Sequence, residues 1–263
     1  PMGGSAYTVL IIGGYGTFGG RLATLLADEP RLNLIVGGRS LAKAEDFCQR
    51  PSAASLVPQH FDREGDLVRQ FEALQPNLVV DATGPFQTYG DDPYRVVRAA
   101  IACGIDYLDL ADGTEYVLGI GELDGHAKSA GRFALSGTST CPALTAAVVR
   151  ELASDLTSMD RITIGIAPAP TASLGLSVIQ AIASRVGQPV AILENGENRC
   201  RYASLDTLRY QITLSGKDAP LSPRLFSLVD VPDLKLLPRL WPGVKSVWLG
   251  AGPVPEVGHW ALL

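Results

Sequence analysis

The first half of the chain alternates apolar runs with segments of helical periodicity. The apolar runs that read as buried strands are 7–12, 32–36, 56–61, 78–81, 107–110 and 133–135. Between them, apolar residues recur every three or four positions, as on one face of a helix, near 18–26, 41–48, 67–74 and 93–104. Strands that alternate with helices through short connections predict a parallel sheet covered on both faces. We therefore predict an α/β fold, with a Rossmann-type doubly wound parallel sheet over residues 1–140.

Beyond residue 140 the pattern changes, and β-type runs dominate. The predicted strands lie at 161–166, 190–193, 208–214 and 246–249, with one helix at about 174–186. A helix over 141–156 is expected to carry its apolar stripe on Leu144, Val148, Leu152 and Leu156. Prolines between Pro220 and Pro242 exclude long central strands, so loops or edge strands are expected there.

These runs predict a second, mixed α/β domain over 141–263, which we expect to serve substrate binding and dimerisation. The apolar run 259–263 carries no helix stop signal, so we expect this domain to be truncated at its C-terminal end.

A glycine-rich loop directly behind the first strand is the strongest chemical signal. Gly14, Gly16 and Gly19 form G-x-G-x-x-G between an apolar strand and a helical pattern. Glycine is required for the tight turn, for close approach of the backbone to a pyrophosphate, and for packing of the helix against the strand. We predict that a dinucleotide binds this loop through Gly13, Gly14, Tyr15, Gly16, Thr17, Phe18 and Gly19.

The end of the second strand selects the cofactor. Arg39 lies 20 residues beyond Gly19, where NAD-binding sites usually carry a carboxylate for the ribose 2′-hydroxyl. Arg39, Ser40 and Lys43 suit a 2′-phosphate instead, because a guanidinium binds phosphate bidentately and a carboxylate would repel it. We expect NADP as the cofactor, with NAD less favoured; the alternative is that Arg39 and Lys43 are ordinary solvated side chains.

Composition narrows the class of protein. The chain has 263 residues, of which 46% are hydrophobic and 19% charged, and its net charge of −5 argues against a nucleic-acid partner. The four scattered cysteines form no C-x-x-C pair, so we expect free thiols and no metal site. The sequence has neither an 18-residue apolar stretch nor a signal-peptide pattern, so we expect a cytoplasmic protein that does not bind membranes.

Further candidates follow the third, fourth and fifth strands. The turn of Ala82, Thr83, Gly84, Pro85 and Phe86 lies where an open sheet binds ligands, and we assign it to the ribose and nicotinamide half of the cofactor. The alternative is an ordinary turn between a strand and a loop.

Asp62 is expected either to contact adenine or to cap the helix of Leu67. Asp109 and Tyr89 are the catalytic candidates, as proton donor or counter-charge, although such residues also orient loops. Cys141, before Pro142, is either a reactive thiol at a helix start or a small packing residue.

These segments together resemble the saccharopine dehydrogenase-like oxidoreductases. The resemblance covers roughly the first 155 residues, and its motifs are the glycine loop, 38–40, 80–86, 89–90, 104–110 and 136–142. It implies a cofactor domain followed by a mixed α/β domain that shapes the substrate pocket and often dimerises. It also implies a reaction that joins or splits a carbon–nitrogen bond by reducing an imine with NAD(P)H.

The function that we predict is therefore an NADP-dependent oxidoreductase that transfers hydride to or from an imine or another amino-acid-derived small substrate, acting as a homodimer. Two alternatives remain open. One is a binding protein that senses NAD(P) without catalysis, because a fold does not determine a function. The other is a polyamine-forming oxidoreductase of related architecture.

Overall fold

The computed structural model describes residues 6–168, 183–211 and 223–252. The chain divides into two compact units, Pro1–Ser139 and Thr140–Leu263.

The first unit is built on a six-stranded parallel sheet. Its strands are β1 (Tyr7–Ile12), β2 (Leu32–Gly38), β3 (Ser55–His60), β4 (Leu78–Asp81), β5 (Asp106–Asp109) and β6 (Ala134–Leu135). Their order in the sheet is β3-β2-β1-β4-β5-β6, and every paired neighbour runs parallel. The chain reverses its winding direction between β1 and β4, so the crevice that binds ligands in such sheets lies at the carboxyl ends of these two strands. The predicted doubly wound parallel sheet is confirmed.

Six α-helices connect these strands in the described part of the first unit. They are α1 (Thr17–Leu26), α2 (Leu41–Cys48), α3 (Leu67–Leu74), α4 (Arg95–Ala102), α5 (Thr114–Gly119) and α6 (Asp124–Ser129). Strands β1 and β4 have the bounds that the apolar runs predict, because both lie in the middle of the sheet and are buried on both faces. Helix α4 begins two residues after Pro93 and is followed by Gly104 in the left-handed region, at φ +69.

Helix α1 faces the sheet with small residues rather than with its large apolar ones. Gly19, Gly20 and Ala23 are buried, whereas Phe18 is 47% exposed. The approach of α1 to β1 is too close for a large side chain, so helical spacing of apolar residues alone identifies the wrong face.

The second unit contains a mixed sheet, which confirms the predicted mixed α/β class. Its strands are β7 (Arg161–Ile166), β8 (Pro189–Glu194), β9 (Glu197–Tyr202), β10 (Thr207–Tyr210), β11 (Arg224–Leu228) and β12 (Ser246–Ala251). The order is β10-β11-β12-β8-β9 with antiparallel neighbours, and β7 joins β12 in parallel. Helices α7 (Thr145–Leu152) and α8 (Asp233–Leu240) contribute Val149, Leu234 and Leu237 to the core of this unit.

The predicted helix over 141–156 is shorter than expected, and its buried face is wrong. Residues Thr140–Leu144 form a separate wide turn, in which Cys141 has extended backbone angles, as expected for a residue before proline. Helix α7 buries Thr145 and Val149. The predicted stripe of Leu144, Val148, Leu152 and Leu156 is instead exposed, by 47–74%.

The region between Pro220 and Pro242 also differs from the expected loops and edge strands. Strand β11 lies between β10 and β12, and its five residues fall between the prolines. Helix α8 follows Pro232, a residue that is tolerated at a helix start, and accommodates Pro238. The predicted helix at about 174–186 and the end of the predicted strand 208–214 lie largely outside the described residues.

No helix within the described ranges has the length and apolar character needed to cross a membrane.

The core of the second unit depends on one face of α8. Leu237 is 0% exposed, whereas Leu240, on the same helix, is 59% exposed. We expect Leu237→Ala to lower the free energy of unfolding by about 2–5 kcal/mol, the usual effect of a cavity left by a buried leucine. Leu240→Ala is the matched control and should change it by less than about 0.5 kcal/mol. Urea denaturation of both variants checks this, and equal losses would contradict the assigned core.

Candidate functional site

The glycine loop lies between β1 and α1 and is held by its own backbone. The N–H groups of Gly13 and Gly14 donate to the carbonyl of Gly37 at 2.8 and 3.1 Å, which fixes the loop to the end of β2. The N–H of Gly16 donates to the carbonyl of Gly13 at 2.8 Å. Gly13 has φ +79, a left-handed conformation that favours glycine.

The three glycines of the motif have different reasons to lack a side chain. A β-carbon on Gly19 would clash with the carbonyl oxygen of Gly13, and one on Gly14 would lie 2.8 Å from the carbonyl oxygen of Ile11. The packing of the loop therefore requires glycine at both positions. A β-carbon on Gly16 would meet only the Gly13 carbonyl oxygen, at 3.1 Å, so this glycine leaves space above the loop.

The start of α1 fits an anion. Helix α1 has no side-chain cap at Gly16 and no acidic residue in its first turn. The first N–H groups of a helix have no partner within the helix, and the helix dipole favours negative charge there. The loop and the start of α1 together form a cradle of the shape and charge that a pyrophosphate requires.

Tyr15 connects this loop to the residues that are predicted to bind the ribose 2′-phosphate. Its hydroxyl accepts a hydrogen bond from the N–H of Ser40 at 2.9 Å. Its ring lies against Gly38, where a β-carbon would be 2.5 Å from ring carbon Cε1.

Ser40 also caps α2, because its Oγ accepts from the N–H of Lys43 at 3.4 Å. Arg39 and Lys43 are exposed beside it. The structure thus brings Tyr15, Arg39, Ser40 and Lys43 together at the end of β2.

The turn after β4 is organised by the buried carboxylate of Asp81. Its Oδ1 accepts from the N–H of Thr83 at 3.0 Å and from the Thr83 hydroxyl at 2.6 Å. The Tyr89 hydroxyl lies 2.6 Å from Thr83 Oγ1 and donates to it, because the Thr83 proton is already directed at Asp81. Burial raises the pKa of Asp81, and the Thr83 hydrogen bonds and the Arg63 charge oppose this rise. Asp81 therefore fixes both the Thr83 turn and Tyr89.

Arg63 belongs to this network and was missed by the sequence analysis. Its guanidinium carbon lies 3.5 Å from the centre of the Tyr89 ring, and its Nε is 3.7 Å from Asp81 Oδ2. The side chain is only 13% exposed. Among the described residues, Nε and Nη2 of Arg63 and Oδ2 of Asp81 have no hydrogen-bond partner. The available signal was its place directly after Asp62, at the carboxyl end of β3.

Asp62 shapes the loop after β3 but does not cap α3. Its Oδ1 accepts from the N–H of Glu64 at 3.0 Å, and its backbone pairs with the Gln70 side chain. The cap of α3 is Asp66, whose Oδ1 accepts from the N–H of Arg69 at 3.1 Å. The capping alternative for Asp62 is therefore wrong, and its contact with adenine stays a prediction.

Asp109 lies at the end of β5 and is 0% exposed. Its Oδ1 accepts from the N–H of Ala111 at 3.0 Å, the hydroxyl of Ser136 at 2.9 Å and the N–H of Gly137 at 2.8 Å. Its backbone carbonyl accepts from Thr138. Burial raises the pKa of Asp109 to about 6, although these hydrogen bonds oppose the rise. This arrangement joins the loops after β5 and β6, and such burial argues against direct proton transfer from Asp109 to a substrate.

Cys141 is buried in the second unit, next to another enclosed carboxylate. The Thr145 hydroxyl donates to Asp233, and its oxygen also lies 3.0 Å from the carbonyl oxygen of Pro142. Burial raises the pKa of Asp233, and hydrogen bonds from Thr145 and Cys141 oppose it. The thiol thus takes part in packing and in a buried polar cluster, and its burial argues against the reactive alternative.

Among solved structures, the similar ones are distant. GenD2 from gentamicin A biosynthesis, in complex with NAD, is 17% identical, with a TM-score of 0.48 over 96% of this chain and 68% of that one. Biliverdin reductase from Synechocystis sp. PCC 6803, in complex with biliverdin and NADP+, is 12% identical, with a TM-score of 0.44 over 95% and 73%. A Gfo/Idh/MocA family oxidoreductase from Vibrio cholerae is 12% identical, with a TM-score of 0.46 over 95% and 70%.

The chain spans about two thirds of the length of these and similar structures. No curated protein matches it.

A family profile gives the informative match by sequence. The profile of the saccharopine dehydrogenase NADP-binding domain matches residues 9–163, which cover more than half of the chain and include the whole described sheet of the first unit apart from the start of β1. This confirms the resemblance seen in the motifs. The chain belongs to the saccharopine dehydrogenase NADP-binding domain family, a family of NAD(P)-dependent oxidoreductases.

Proposed function

We propose that this protein is an NADP-dependent oxidoreductase that transfers hydride to or from an imine or another amino-acid-derived small substrate. The observation that carries the proposal is the anion cradle formed by the glycine loop and the uncapped start of α1, at the carboxyl edge of a doubly wound sheet. The nicotinamide supplies the hydride chemistry when the cofactor is bound, and the protein supplies orientation and electrostatics.

The preference for NADP over NAD is proposed from the end of β2. Arg39 and Lys43 are exposed cations there, and the segment 37–43 contains no carboxylate. A ribose 2′-phosphate would gain charge-assisted hydrogen bonds from these side chains, whereas a 2′-hydroxyl would gain little.

For the second half of the cofactor, we propose the turn of Ala82, Thr83, Gly84, Pro85 and Phe86. Asp81 supports this proposal, because it fixes the backbone and hydroxyl of Thr83 from beneath. Asp109 is proposed as a positioning residue that joins the loops after β5 and β6. Tyr89 is the remaining catalytic candidate, because it is partly exposed and lies next to this turn.

One observation favours the alternative of a protein that senses NADP without turnover. The Tyr89 hydroxyl donates inward to Thr83, and the Asp109 carboxylate is enclosed, so neither directs a proton outward in the described structure. Oxidation of NADPH in the presence of oxo acids and amines separates the two functions, because a sensor binds NADPH without consuming it.

The protein is further proposed to be a cytoplasmic homodimer. The exposed apolar stripe of Leu144, Val148, Leu152 and Leu156 supports an interface on the second unit.

The first prediction from the proposed function concerns Arg39. A hydrogen bond to a charged group contributes about 1.5–3 kcal/mol, so Arg39→Ala should weaken NADPH binding by about ten- to a hundredfold. NADH binding should change little, because NADH lacks the 2′-phosphate. Calorimetric titration with both cofactors measures this, and Arg69→Ala on α3 is the matched control. Equal losses for NADPH and NADH would remove Arg39 from the 2′-phosphate site.

A second prediction distinguishes the role of Gly16 from that of Gly19. Gly16→Val should abolish binding of both cofactors while the protein stays folded, because the new side chain extends into the space above the loop. Gly19→Val should instead disrupt the loop itself, since its β-carbon clashes with the Gly13 backbone. Gly121→Val is the control, at a glycine with open space around it. Retained NADPH affinity in folded Gly16→Val would show that the pyrophosphate binds elsewhere.

A third prediction follows from the raised pKa of Asp109. The folded state holds its proton up to about pH 6, whereas an unfolded aspartate releases it near pH 4. Asp109 therefore stabilises the fold below pH 4, and this contribution of about 3 kcal/mol is lost as the pH rises through 6. Wild type should lose most of this amount relative to Asp109→Asn between pH 4 and 7 in urea denaturation. Parallel curves for the two proteins would contradict the raised pKa.

A further inference from the structure

We infer that a small aromatic pocket in the first unit binds the cationic end of a substrate, an ammonium or iminium group on an apolar body. The identification of this cation as the substrate rests on the proposed function, whereas its binding does not. The pocket encloses about 190 Å³ and opens to solvent. It is formed by the segments after β4 and β5, and its lining residues are Phe86, Gln87, Tyr89, Gly90, Pro93, Tyr94, Glu115 and Tyr116.

The walls of this pocket are a cluster of aromatic rings that pack tilted or edge-on against one another. Tyr116 lies at the centre, with ring centres 5.0 Å from Phe86, 5.6 Å from Tyr89 and 4.9 Å from Tyr94. Aromatic faces carry negative charge density and attract cations. The same cluster already holds one cation, because the Arg63 guanidinium stacks on Tyr89 without lining the pocket.

The three tyrosine hydroxyls are used inside the protein. Tyr94 donates to the carbonyl of Tyr116 at 2.7 Å, Tyr116 pairs with the Tyr107 hydroxyl at 3.1 Å, and Tyr89 donates to Thr83 at 2.6 Å. The tyrosine hydroxyls thus already have partners within the protein, and the aromatic rings remain as the apolar part of the lining. Polar recognition is left to Gln87 and Glu115, and Gln87 already donates to Asp112 at 3.0 Å.

Among the residues that line the pocket, the charged one is an acid, Glu115. Glu115 is exposed in the first turn of α5 and forms no ion pair within the described residues. Burial raises the pKa of Tyr94 to about 12, and the charges of Glu122, Asp109 and Glu115 add to this rise. None of the lining residues is a lysine or arginine. Such a pocket attracts a cation and repels carboxylates and phosphates.

The size of the pocket restricts which part of a molecule can enter. Whole drug-sized ligands occupy about 300–1,000 Å³, so about 190 Å³ accommodates only one end of a substrate. The structure thus favours amines with a small apolar group, in free or imine form. It disfavours substrates that would have to place a carboxylate here.

Three probes of nearly equal shape test the inference. Choline carries the positive charge, 3,3-dimethylbutan-1-ol replaces the nitrogen with carbon, and 3,3-dimethylbutanoate carries a negative charge. Titration of the uniformly labelled full chain, without cofactor, is followed by amide NMR shifts at Phe86, Tyr94 and Tyr116. Choline should bind about two- to thirtyfold more tightly than the alcohol, and the carboxylate most weakly. Equal affinities, tighter binding of the carboxylate, or no shift at these residues with any probe would overturn the inference.

Matched variants assign the preference to particular groups. Glu115→Gln should weaken the binding of choline about two- to fivefold and leave the binding of the alcohol unchanged. Glu72→Gln, on the exposed face of α3, should change neither affinity. Tyr94→Phe keeps the ring and should retain the preference for choline, whereas Tyr94→Leu should reduce it. A preference for choline that survives both Glu115→Gln and Tyr94→Leu in folded protein would overturn the assigned pocket.

These titrations are independent of the cofactor experiments. A preference for choline in a protein that does not bind NADPH would overturn the proposed function and leave the cation pocket standing. NADPH binding with no preference among the probes would overturn the cation pocket and leave the proposed function standing.

Discussion

The first unit depends on one close contact between two backbones. Helix α1 approaches the end of β1 so closely that Gly19 leaves no room for a side chain beside the Gly13 carbonyl. This approach explains why α1 buries small residues and exposes Phe18. It also places the uncapped start of α1 at the carboxyl end of β1, so the same packing creates the proposed anion site.

Two buried carboxylates organise the opposite side of the crevice. Asp81 and Asp109 are register partners at the ends of β4 and β5, and each accepts several hydrogen bonds from the loop that follows it or its neighbour. Burial of both groups is unfavourable unless hydrogen bonds compensate it. The geometry of the Thr83 turn and of the loops after β5 and β6 is therefore maintained by hydrogen bonds to two carboxyl groups inside the protein, and substitutions far from any ligand can change it.

The sequence is most informative where one physical requirement dominates. Buried central strands such as β1 and β4 can be predicted directly from their apolar runs. The glycine loop can be predicted because its packing requires glycine at fixed positions. Strand β9 was missed because it is polar and exposed. The pair Asn195-Gly196 was a sequence signal for its hairpin, because Asn-Gly favours a two-residue turn. The two residues have φ +52 and +83, which is typical of such a turn.

Other features depend on tertiary contacts that no local pattern contains. The buried face of α7 could not be predicted from apolar spacing, because Thr145 packs against Asp233 of α8 and Val149 enters the core, whereas the leucine stripe is exposed. The only signal for Arg63 was its position after β3, since it is the fold that brings its side chain, from the loop after β3, to Asp81 and Tyr89. The ring cluster of Phe86, Tyr89, Tyr94 and Tyr116 likewise assembles from separate segments.

The hydrogen bond from the Ser40 N–H to Tyr15 has a consequence for how cofactor choice could evolve. This backbone donor is already engaged, so discrimination at the end of β2 is left to side chains that point into solvent. Exposed side chains can be exchanged without disturbing the loop or the sheet. The fold thus keeps dinucleotide binding and cofactor preference on separate groups, and a lineage could switch preference by a few surface substitutions while the glycine loop stays unchanged.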